Sequence, residues 1–130
     1  MTLIDTSKTL EGSAAVDPGS LAQFVRHEIE AFKVPAPHPQ QLGSPLPPSW
    51  YLKQLAEMKA ALVEPYLIEM SDGRIADREV RPVWVVAEDA YILLAYDPDR
   101  EGDFALIFRD APQPGLSPIR GDAIGCFMSR

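Results

Sequence analysis

VRPVWVVAEDAYILLAY, residues 80–96, decides the fold. Val83 to Ala87 and Tyr91 to Tyr96 are apolar at every position, and the polar break between them suits a hairpin loop, so the stretch predicts two paired strands. A sheet with one wet face would alternate apolar and polar residues, which these runs do not, so both faces must be covered. The two helices expected upstream can roof one face, and something else has to shield Trp84, Val86 and Leu94, since leaving them bare would forfeit roughly 1.5 to 3 kcal/mol each. A sheet curled around its helices is the first expectation for the second cover and a sheet-mediated homodimer the next. The proline-rich segment or a bound ligand are the remaining candidates.

Upstream of the hairpin, Asp17-Pro18-Gly19-Ser20 marks a helix start, with Asp17 or Ser20 as cap and Pro18 in the first turn. The helix runs to about Lys33, and Leu21, Phe24, Val25, Ile29 and Phe32 share one arc of its wheel, with Glu28 intruding among them. Residues 34–49, VPAPHPQQLGSPLPPS, hold six of the chain's 13 prolines and exclude both a helix and an inner strand. An extended connector is the expectation there, and ligands of SH3 and WW domains look superficially alike. Ser49 then caps a second helix, Trp50 to about Val63, which Pro65 ends. Tyr51, Leu52, Leu55, Met58 and Leu62 share its face, Lys59 intrudes on that face, and Trp50 lies opposite.

Three further strands are expected: YLIEM (66–70), FALIFR (104–109) and DAIGCFMS (122–129), with the prolines at 112, 114 and 118 making an irregular crossing before the last. The pattern predicts an α+β fold in which two N-terminal helices pack on a twisted antiparallel meander of about five strands. Residues 1–17 are expected to be a flexible tail and 18–130 a single domain.

Composition narrows the function classes. With 130 residues, Lys+Arg 12 against Asp+Glu 19 and a net charge of −7, a nucleic-acid binder that tracks phosphates is excluded. One cysteine and two histidines argue against disulfides and metal centres. The opening residues lack the basic start and apolar run of a secretory signal, and no run reaches membrane-span length, so a cytoplasmic protein without a membrane partner is expected. Residues 1–64 carry a net −2 and residues 65–130 a net −5, which favours basic partners for the strand half.

No catalytic group, metal or cofactor is expected. DPDREGD (97–103) matches half of a calcium loop, but the position that needs a bidentate Glu is Phe108, and a solvated hairpin turn explains the same residues. Glu28 and Lys59 read as a structural pair or a snorkelling lysine rather than an acid–base site. Cys126 reads as a small apolar strand residue, and Arg120-Gly121-Asp122 as a chance tripeptide with a turn glycine.

The stretch LGSPLPPSWYLKQL, residues 42–55, resembles the start of a helix in the SUKH immunity proteins, though the Asn-Gly-Gly that follows in that family is missing here. The resemblance implies an α+β fold and an immunity role. The order of helices then meander also fits cone-shaped cystatin-like and NTF2-like folds. The favoured function is a non-enzymatic protein–protein interaction module, immunity- or chaperone-like, that binds a partner or itself as a homodimer. The alternative is a small-molecule-binding or minor enzymatic domain with an apolar pocket between sheet and helices. Glu28, Trp50, Trp84, Tyr91 and Tyr96 are the candidate partner- or ligand-binding residues.

Overall fold

In the computed structural model, which describes residues 16–35, 46–71, 80–98, 102–111 and 115–130, Asp17 starts the first helix as its chemistry demands. Its carboxylate accepts hydrogen bonds from the Ser20 backbone N–H (2.9 Å) and the Ser20 hydroxyl (2.8 Å), which satisfies an orphan donor at the head of α1 (Pro18–Ala31). Leu21, Val25 and Ile29, at four-residue steps, are its buried stripe. Residues 1–15 of the expected tail and most of the proline-rich connector lie outside the described residues, whereas Val16 packs against the core and Asp17 caps α1, so the folded part begins before residue 18.

The second helix, α2 (Pro48–Ala61), is capped by Pro47 rather than by Ser49, which sits in the first turn. Met58 is its one fully buried side chain, and Leu52, expected on the buried face, is largely exposed, because α2 meets the body through its last two turns. Strand β1 (Leu62–Ser71) begins directly after it. Pro65, expected to separate helix and strand, is buried inside β1 where the register shifts between Leu62 and Tyr66; a bulge on an edge strand tolerates the missing N–H.

β2 (Val80–Glu88), β3 (Ile92–Asp97), β4 (Asp103–Phe108) and β5 (Leu116–Gly121) complete an open antiparallel sheet in the order β1-β2-β3-β4-β5. The fifth strand is not the one expected. Residues 116–121 pair with β4, while Ala123–Met128 form a short helix, α3. Asp122 accepts from the Gly125 N–H (2.6 Å) and so caps that helix, and Ala123, Ile124 and Phe127 at helical spacing all turn inward. Pro118 fits β5 because β5 is an edge and its register shifts there.

The two faces of the sheet are covered differently. Trp84, Val86 and Leu94, expected on the face away from the helices, instead form one core with Phe104 and Leu106, with Leu21, Val25 and Ile29 of α1, Met58 of α2 and Phe127 of α3. On the other face Val83, Ala95, Ala105, Ile107 and Leu116 form a second core. These residues are buried within the single chain. The sheet curls about this second face: a Cβ at Gly115, just before β5, would stand 3.0 Å from the Ser71 carbonyl oxygen at the end of β1. Those strands are the two opposite edges, and no ladder joins them. A five-stranded curl has room inside for side chains only, so the curl runs away from the helices rather than around them. No helix among the described residues is long and apolar enough to cross a membrane.

Candidate functional site

Among the described residues one open hollow lies where α1 stops covering β3 and β4, and another lies between α1 and α3. Tyr96 and Phe104 are cross-strand partners on the helix face of β3 and β4, so their rings sit side by side, centroids 5.1 Å apart and tilted by 56°. Phe24 of α1 stacks on Phe104 at 6.3 Å with its ring nearly parallel (4°). Phe24 nevertheless remains 50% exposed. Beside these rings a groove of about 310 Å³ opens, with Leu21 on its floor side and Asp17 and Ser20 on its polar side. Gly102 helps to shape it. Its φ of 77° lies in the left-handed region, and a Cβ there would collide with the Tyr96 hydroxyl, so glycine is required twice over.

Electrostatics divide the groove. Hydrogen bonds from Ser20 hold the Asp17 carboxyl below the usual range, so it is an anion at neutral pH. Burial first, then the charges of Asp97 and Asp103, push the Tyr96 phenol above its usual value, so it stays a neutral donor. The groove therefore offers aromatic walls, a phenol and one carboxylate, and fits an apolar anchor next to positive charge.

A second groove of about 240 Å³ separates α1 from α3, with Phe32, Ile124 and Met128 as apolar lining and the carboxylates of Glu28 and Asp122 on it. Lys59 lies elsewhere, in a small hollow with Arg26 and Glu30, and no ion pair joins it to Glu28.

The remaining candidate residues are dispersed. Trp50 is half-buried at the start of α2, edge-on to Tyr51 (5.0 Å, 90°) and away from both grooves. Trp84 is buried in the helix-face core. Tyr91 is 72% exposed in the β2–β3 turn, where the Asp89 carboxylate accepts from the N–H groups of Tyr91 (2.7 Å) and Ile92 (2.9 Å). Of the candidates, Tyr96 lines the first groove and Glu28 the second.

Sequence reasoning passed over an ion cluster on the curled face. Asp97, fully buried, accepts from Arg81 (2.7 Å) and from Arg120 (2.8 Å), and Arg120 also pairs with Asp103. Burial alone would push the Asp97 carboxyl up, yet the hydrogen bonds from Arg81 and Arg120 outweigh it and hold the group below the usual carboxylate range. The signal was available in residue parity: Arg81 shares its face with Val83 and Val85, Asp97 with Ala95, and Asp103 with Ala105. Asp97, the first carboxylate of the calcium-like loop, is thus engaged by guanidinium groups, while residues 99–101 lie outside the described residues. Arg120 and Asp122 of the Arg-Gly-Asp tripeptide are committed to the cluster and to the α3 cap. Cys126 lies in α3 rather than in a strand. Its thiol donates to the Phe104 carbonyl (3.4 Å), and burial, reinforced by Asp122 and Asp103, pushes it up to about 11, which leaves it a poor nucleophile.

Compared with family models, with curated proteins and with solved structures, the chain matches none of them. The likeness to the SUKH proteins rests on residues 42–55 alone, of which 42–45 fall outside the described residues.

Proposed function

We propose that this chain is a non-enzymatic interaction module that recognises a basic partner protein and takes one apolar side chain of that partner into the groove of Phe24, Tyr96 and Phe104. The observation that carries the reading is Phe24, a phenylalanine half in water beside an open aromatic groove. Covering such a ring recovers part of the roughly 1.5 to 3 kcal/mol that full burial is worth. The charge balance supports the sign of the partner. Arg81, Asp97, Asp103 and Arg120 cancel within the ion cluster, so the strand half keeps its net −5 on its other side chains.

The second reading, a small-molecule site in the same groove, is supported by the hydroxyls of Ser20 and Tyr96, which could orient a ligand. Affinity capture from the source cell with the wild-type chain and with Phe24→Asp separates the two. The interaction reading expects a basic protein held at low salt, released as salt rises, and lost with Phe24→Asp. A chain that retains no partner but melts at higher temperature with a small apolar ligand would establish the second reading instead.

A further inference from the structure

The two edges of the sheet are not equivalent. An edge strand presents unpaired N–H and C=O groups to any extended chain, and proteins blunt such edges with prolines, bulges, lysines or a covering element. β5 is blunted: it is six residues long, its register shifts, it carries Pro118, and α3 follows it directly and packs on the sheet. β1 is not. From Tyr66 to Ser71 it pairs with β2 in six consecutive registered positions, without proline, lysine or shift. Tyr66, on the curled face, is 40% exposed and Leu67, on the helix face, is 47% exposed. Ser71 meets Gly115, so the open part of the edge is Tyr66 to Met70.

We propose that the Tyr66–Met70 edge of β1 accepts an extended, basic segment of the partner as a sixth strand. Main-chain hydrogen bonds would supply the affinity and alternate side chains the specificity. Charge selects the occupant. Glu64 and Glu69 are exposed on β1 itself, and Glu88 of β2 stands beside Tyr66, whose hydroxyl donates to it at 2.5 Å. A second copy in this place would oppose the same glutamates on a chain of net charge −7, whereas a basic strand meets Glu69 with a lysine on the helix face or Glu88 with one on the curled face. The proposal rests on the reading of a basic protein partner, but it uses a surface separate from the Phe24 groove, so the two fail independently.

The test is amide hydrogen exchange and backbone NMR of the full chain with a capped peptide of alternating lysine and valine. Slowed exchange among Tyr66–Met70, weakening with salt, is expected. Leu67→Lys should weaken binding about tenfold, and the same peptide with glutamate for lysine should not bind. Three results would overturn the proposal: an unaltered edge at saturating peptide, shifts confined to the Phe24 groove, or edge protection in a dimer without peptide. The second would leave the groove reading standing.

Discussion

The helix face and the curled face of the sheet bury the same kind of sequence by opposite means. On the helix face large side chains such as Trp84, Leu94 and Phe104 reach outward to meet three helices. On the curled face the strands bend over one another, and the space they leave suits Val83, Ala95 and Ala105, with Arg81, Asp97, Asp103 and Arg120 on the same face. The lesson is that an apolar run does not say which layer covers it, since Ile107 and Leu116 fill the curled core while Ala87 lies in the helix-face core. Alanines at Cα-paired positions, Ala95 opposite Ala105, mark the concave side.

This contrast can be broken at its charged part first. Arg120→Met removes the guanidinium that Asp97 and Asp103 share and leaves the buried Asp97 paired still with Arg81, so unfolding in urea should show a loss of about 3 kcal/mol, the lower end of what breaking a buried pair costs. A smaller effect comes from overfilling the concave core. Ala105→Leu should cost about 1–3 kcal/mol, since Ala105 is fully buried among Val83, Ala95, Ile107 and Leu116 and the added carbons must displace them. The acid dependence is smaller still. Asp97 has a folded pKa below its unfolded value near 3.9, so its contribution is complete above about pH 4 and fades as the pH falls through the lower folded value. Urea midpoints at pH 7 and pH 3 should therefore fall less in Asp97→Asn than in the wild type, although the variant starts lower.

Much of the fold was legible. The hairpin of residues 80–96, the Asp17 cap and the stripe of Leu21, Val25 and Ile29 each follow from periodicity or capping chemistry. The end of the chain was not legible as a helix because a six-residue segment spans less than two turns, too short for a period of 3.6 to stand out from alternation. β5 was hidden by Pro118, which excludes a central strand but not an edge. At the site, Tyr96 was readable as an aromatic at a strand end, whereas Phe24 read as core. Its half-exposure depends on where α1 stops covering β3 and β4, a tertiary fact with no local signal.

The curl that seals the second face within one chain is tested most directly by Ser71→Cys with Gly115→Cys. A Cβ at residue 115 would lie 3.1 Å from the Ser71 Oγ, close to the spacing a disulfide needs. Mild oxidation should yield a monomeric species cross-linked within itself, faster on non-reducing gels and stabilised by up to about 4 kcal/mol for a closed loop of about 45 residues. Failure to cross-link, or cross-linking only between two copies, would contradict the account and return a second molecule to the curled face.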